Sequence, residues 1–181
     1  MDSHRYFPVA GCLWSELADD PELRGVDDGP PGYGGWRFPR GPLHLHRGID
    51  LPTRIGQPVV AVEAGIAEYR AMSVNIAPGE FNAAGHRVLL HAYSGAGYRY
   101  LHLGTDDEFT ADAFPIGVRS GDRIAVEAGE LIGFAGITGG SQATGVRLTP
   151  DRCHLHFGWH PQGLAAEHAN PARLLETIGA A

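Results

Sequence analysis

From residue 57 onward the chain alternates short apolar runs with turn-forming ones. The runs 57–62, 65–70, 87–93, 98–103, 123–126, 131–135 and 153–159 are each bounded by Gly, Pro, Asp or Ser. Segments of this length and period predict strands whose side chains point alternately to two faces. Seven short strands favour an antiparallel sandwich or barrel-like fold over βαβ units. Ser94-Gly95-Ala96-Gly97 between two tyrosines reads as a hairpin connection. Longer loops at 71–86, 104–122 and 137–152 have the length of cleft walls. Helical signals are confined to the ends. A short helix is predicted over 15–23 with Ser15 as N-cap, and another after Asn170, with Pro171 at the first helical position and Gly179 beyond the last.

Composition narrows this picture. The 181 residues include 43% hydrophobic and 19% charged side chains, enough for one domain with a sizeable core. Residues 1–30 read as a loop-rich extension rich in Pro and Gly, and 31–181 as a single domain. The formal net charge of -7, with 14 Lys and Arg against 21 acids, argues against a nucleic-acid partner. No apolar stretch is long enough for a membrane span. The first residues lack the basic segment and apolar core of a secretory leader. Cys12 and Cys153 form no C-x-x-C pair and read as free thiols, with a single disulfide as the alternative in an exported protein.

Three constellations offer chemistry. In Cys153-His154-Leu155-His156-Phe157 the two histidines share one face of a strand, where they would bind or flank a metal, or simply add surface polarity. His46-Arg47-Gly48-Ile49-Asp50 sets a histidine and a carboxylate four apart, offering one nitrogen and one oxygen ligand. Its plainer reading is a capped turn with a surface histidine. With His156 the pair makes the two-histidine, one-carboxylate set that suits a four-coordinate zinc with one open position. In Tyr98-Arg99-Tyr100-Leu101-His102-Leu103, alternation places Tyr98, Tyr100 and His102 on one face. His102 is there either an acid or base in a cleft or a half-buried, hydrogen-bonded residue. His4, His86, His160 and His168 read as surface residues.

The ordered set HRGID, YLHL and HLHF resembles the lysostaphin-type (LytM-like) zinc metallopeptidases that cleave peptidoglycan peptides. Supporting segments have the family's form: Gly34-Gly35-Trp36-Arg37 before the first motif, GQPVVAVEAG from Gly56, VLLH ending at His91, GELIGFAG from Gly129, and Asn170-Pro171 near the end. The resemblance covers roughly residues 30–175, and in combination its motifs are specific.

That resemblance implies an all-β fold, an antiparallel barrel-sandwich of the duplicated hybrid type, with long loops around a groove and a short C-terminal helix. It implies Zn2+ held by His46, Asp50 and His156, with His102 and His154 as catalytic histidines outside the metal's ligand set. His91 and Tyr100 are assigned to the groove as substrate contacts, and His44 as a residue flanking the ligand. The implied partner is a peptidoglycan peptide, which would place the protein at the cell wall or otherwise outside the cytoplasm. The link before HLHF is stretched here, over 138–152, which alters the expected groove walls. Two other readings compete: a non-catalytic binding or regulatory domain of the same fold, and a sugar-phosphotransferase carrier domain, against which Asp50 discriminates.

Overall fold

The computed structural model describes residues 5–17, 34–39, 45–72, 82–140 and 146–178. Its elements are α1 (Trp14–Leu17), β1 (Ile49–Pro52), β2 (Pro58–Val60), β3 (Gly65–Arg70), β4 (His86–Ala92), β5 (Gly97–Leu103), β6 (Arg123–Val126), β7 (Leu131–Phe134), β8 (His154–His160) and α2 (Pro171–Ile178). Six strands form one antiparallel sheet in the order β1-β8-β5-β4-β3-β6, while β2 and β7 pair separately. The larger sheet remains open, with β1 and β6 at its edges. The protein is therefore all-β, with two short α-helices among the described residues, as the residue pattern and the family resemblance led us to expect.

Burial explains why these segments are strands. Along β3 and β4 every second residue is buried and the next only partly so. One face of the sheet is thus packed and the other is left for solvent or ligand. The packed face joins the β2–β7 pair in one core, in which Leu90, Tyr98, Tyr100, Leu103, Leu155 and Phe157 meet Val59 and Ile132. Two strands run as the pattern predicted them, 65–70 and 123–126, and most of the others are displaced by a residue at an end. The strand that was not anticipated is β1. It has four residues, follows Gly48 and ends in Pro52, so its strand character comes from pairing with β8 and not from local propensity. Pro52 is tolerated because β1 is an edge.

The N-terminal stretch is tied into this core. Val9 bridges Val59, the Tyr6 amide donates to the Val62 carbonyl at 3.0 Å, and Phe7, Val9 and Trp14 are buried. Buried Glu63 accepts hydrogen bonds from Arg5, Ser94 and Tyr98, which holds its carboxyl below the usual range although burial alone would raise it. Helix α1 begins at Trp14, so Ser15 lies inside it and is not the cap. The Glu16 carboxylate instead accepts from the Leu13 amide at 3.0 Å, closing the first turn. The predicted extension of this helix over 18–23 lies outside the described residues. Helix α2 starts as expected, with Asn170 Oδ1 accepting from the Ala172 amide at 3.1 Å. No helix among the described residues is long and apolar enough to cross a membrane.

Two expectations need correction. Tyr100 does not face the groove. It is fully buried, its ring lies 5.4 Å from that of Phe157, and its hydroxyl oxygen accepts from the Val62 amide at 3.0 Å. The surface reading also fails for His86 and His160, which have no exposed area, while His168 is half-buried against His160 with ring centroids 4.0 Å apart. His86 is a buried clamp: Nδ1 accepts from the Met72 amide and Nε2–H donates to the Asp106 carbonyl, joining two loops. His4 lies outside the described residues. Tyr100→Phe should leave the Val62 amide without a partner and lower unfolding free energy by about 1–3 kcal/mol in urea titration. A substrate contact would show the opposite signature, unchanged stability with impaired turnover.

Candidate metal centre

The open face of the large sheet carries the chemistry. Asp50 on β1 pairs directly with His156 on β8, and both side chains project to that face. His46 enters from the turn before β1. The three candidate ligand atoms nearly form an equilateral triangle: His46 Nε2 lies 2.9 Å from His156 Nδ1 and 3.0 Å from Asp50 Oδ1, and His156 Nδ1 lies 2.9 Å from Asp50 Oδ1. Together they are a group suited to hold a metal ion.

The local sequence explains the convergence. Gly34 and Gly35 supply backbone carbonyls. Gly35 O accepts from His46 Nδ1–H at 2.8 Å, and Gly34 O accepts from the Asp50 amide at 2.9 Å. Because a carbonyl only accepts, the neutral His46 ring must direct its Nε2 lone pair at Asp50 and His156. His46 Nε2 and Asp50 Oδ1 at this spacing repel unless the His156 proton or a cation lies between them. The triangle's edges are slightly shorter than the ~3.3 Å that tetrahedral zinc, with bonds of 2.0–2.1 Å, sets between ligands. The donor set therefore fits Zn2+ after a small outward movement. Gly48 is required by close approach, since a Cβ there would lie 2.6 Å from both His156 Nε2 and the Phe157 carbonyl oxygen.

Electrostatics support this assignment. Burial alone would raise the Asp50 carboxyl, but facing His154 and His46, with a hydrogen bond from His156, hold it well below the usual range. Burial pushes His156 down to about 4, against the opposing pull of Asp50. A neutral imidazole and an ionised carboxylate are the forms that bind metal.

His102 and His154 complete the cluster. Their ring centroids are 4.9 Å apart, and His154 Nε2 lies 3.6 Å from Asp50 Oδ1. His102 Nδ1–H donates to the Thr138 carbonyl at 2.9 Å and His154 Nδ1–H to the Arg152 carbonyl at 2.8 Å. Each ring is thus oriented with Nε2 free for chemistry. Burial, then the neighbouring His154 and His156, keep the His102 imidazole well below its ordinary pKa and so neutral.

His102 reaches this position by breaking the strand alternation expected for it. The register of β4 and β5 shifts between His86, opposite Leu103, and Arg87, opposite Leu101. His102 is the extra residue of that bulge and has φ +66. The bulge turns it away from the face of Tyr98 and Tyr100, toward His154. A left-handed backbone at a non-glycine residue is the kind of strain that collects at functional sites. No sequence signal distinguished this bulge from continued alternation. Of the remaining candidates, His91 lies on the open face with Nε2 3.3 Å from Glu68 Oε2, three strands from β1. His44 lies outside the described residues. Cys153 is a buried free thiol whose Sγ–H donates to the Gly136 carbonyl at 3.3 Å, facing away from the cluster.

With this geometry in view, the relationships of the chain become specific. Residues 44–168, more than half of the chain, match the model of peptidase family M23. The chain belongs to peptidase family M23, whose cofactor is zinc, and His46, Asp50 and His156 form the cluster that fits it. Among solved structures it is similar to the antimicrobial peptidase lysostaphin from Staphylococcus simulans, with 26% identity and a TM-score of 0.53, covering 78% of this chain and 49% of that one. A solution structure of lysostaphin gives 27% and 0.54, covering 82% and 50%. A putative glycyl-glycine endopeptidase LytM from Ruminococcus gnavus shares the fold at 22% identity and a TM-score of 0.56, covering 99% of this chain and 62% of that one. This chain thus spans about half the length of lysostaphin. No curated protein matches the sequence.

Gly48→Ala should push His156 out of register with Asp50. We expect zinc affinity, measured by competition with a chromogenic chelator, to fall by about 10–100-fold, the range seen when the support of a metal ligand is disturbed. Undiminished affinity would show that His156 is not held where metal binding needs it.

Proposed function

We propose that the chain is a zinc-dependent endopeptidase whose substrate is a peptide of peptidoglycan, either a cross-bridge or a stem. The observation that carries this reading is the combination of three converging ligand atoms with two further histidines, each presenting a free Nε2 to the same open face. A non-catalytic binding domain would need the metal ligands at most, and has no use for His102 held neutral at a strained position. The catalytic unit is centred on residues 31–181, with the stretch 5–17 of the N-terminal extension packed into its core, and the setting is the cell wall.

In this reading His46, Asp50 and His156 would hold Zn2+, which would supply Lewis acidity to a peptide carbonyl and acidity to a water molecule. The protein supplies the rest. The bulge at His102 and the carbonyls of Thr138 and Arg152 fix the His102 and His154 rings, so that proton transfer costs little reorientation. One histidine takes the proton of the attacking water at Nε2. The ring so protonated then gives that proton from Nε2 to the departing amine. The other ring, when it carries a proton at Nε2, donates to the developing oxyanion. The open sheet face receives the extended peptide.

His102→Ala and His154→Ala should each retain one zinc per chain while hydrolysis of purified cell-wall peptides falls about 10²–10⁴-fold. Elemental analysis and a release assay on the same samples check this. Full activity in both variants would rule out their role as proton carriers.

A further inference from the structure

The cross-strand register turns the open face into a grid. One row runs Asp50, His156, Leu101, Arg87, Arg70, and the next runs Gly158, Arg99, Leu89, Glu68, Arg123. The metal centre sits at one end of the first row. Arginines occupy much of the remainder. Arg99 is a diagonal neighbour of His156, and such neighbours lie ~7–8 Å apart.

The cations on this floor outnumber its carboxylates. Outside the metal centre, Glu68 is the carboxylate that the register places on the floor, and it is already engaged. It binds Arg70 at 2.6 Å through Nε, Arg123 at 2.7 Å and His91 at 3.3 Å. Arg87 reaches the Gly85 carbonyl at 3.2 Å. Arg99 Nε is buried with no hydrogen-bond partner among the described residues. Burial, followed by Arg47 and Arg70, depresses the pKa of the Arg99 guanidinium. Burial, followed by Arg70 and Arg99, does the same to Arg87. These like charges are held together beside the site in a protein whose net charge is -7. An anion bound there would relieve their repulsion.

We infer that the groove floor selects an acidic peptide, with Arg99 and Arg87 receiving the side-chain carboxylate of an acidic residue within the substrate. The inference rests on the endopeptidase reading for its orientation along the groove. An extended peptide advances about 3.3 Å per residue, so the carboxylate belongs two or three residues from the bond placed at the metal centre. A residue inside the chain fits better than a terminal carboxylate. The floor does not end at Arg99 but continues across β4 and β3, leaving room for the peptide to run on. Arg99 and Arg87 are specificity-determining residues in this account, and the apolar Leu89 and Leu101 between them exclude water from the ion pair.

The test uses zinc-loaded full chain and two sets of peptides. Each set has Glu and Gln versions, with the residue stepped through the positions flanking the scissile bond and the C-terminus either free or amidated. One set is cleavable and read as kcat/KM. The other carries a reduced, uncleavable bond and is read as Kd by fluorescence anisotropy. At one position Glu should be favoured over Gln by about tenfold, the scale of a charge-assisted hydrogen bond. The preference should shrink with added salt, disappear in Arg99→Gln, return in part in Arg99→Lys, and persist in Arg54→Gln, an exposed arginine outside the floor. If Arg99→Gln is unfolded by circular dichroism, Arg87→Gln reads the same loss. Equal binding of Glu and Gln peptides at every position overturns the inference, as does a preference that survives both substitutions. A preference that follows only the free C-terminus overturns the choice of an internal residue. Selective binding without any cleavage would sink the endopeptidase reading and leave the acidic specificity standing. Cleavage without charge preference would do the reverse.

Discussion

The structure depends on one register, the antiparallel pairing that sets Asp50 of β1 opposite His156 of β8. A slip of one residue would turn either side chain into the core and dissolve the site. Everything near the pair works to hold that alignment. Ile49, Leu51, Leu155 and Phe157 are fully buried on the other face, so the hydrophobic core enforces the same register that the metal ligands need. Gly48 lets the two chains approach, and the carbonyls of Gly34 and Gly35 anchor the strand and orient His46. Binding geometry is therefore purchased with apolar burial one face away.

The same logic explains the division of the large sheet. Its packed face is aromatic and aliphatic, with Tyr98 and Tyr100 against Phe157. Its open face is polar and cationic, graded from the metal centre on β8 to the arginines and Glu68 on β5, β4 and β3. Two buried polar groups outside the site, Glu63 and His86, are satisfied locally. Glu63 binds the N-terminal stretch, and His86 fixes two loops, so neither competes for the chemistry at the opposite face.

Much of this was legible in the residues. Alternation located the strands of the central sheet, and the ordered motifs with their glycines pointed to the family and to the histidines and aspartate that the fold draws together. What escaped the sequence had physical causes. Strand β1 is too short for propensity to mark it and exists through its partner. The bulge at His102 reverses alternation over one residue, so the face of Tyr98 and Tyr100 was wrongly extended to it, and Tyr100 was wrongly placed in the groove. His86 and His160 looked like surface polarity because their partners are backbone carbonyls and amides, which no side-chain pattern records.

The central claim is that His46, Asp50 and His156 together hold zinc on the open sheet face. X-ray absorption at the zinc edge of the reconstituted protein tests it most directly. The account predicts two imidazole nitrogens and a carboxylate oxygen at about 2.0–2.2 Å, with a light-atom fourth neighbour and no sulfur. A sulfur shell near 2.3 Å, which would recruit Cys153 or Cys12, or a zinc with no imidazole scattering, would contradict it.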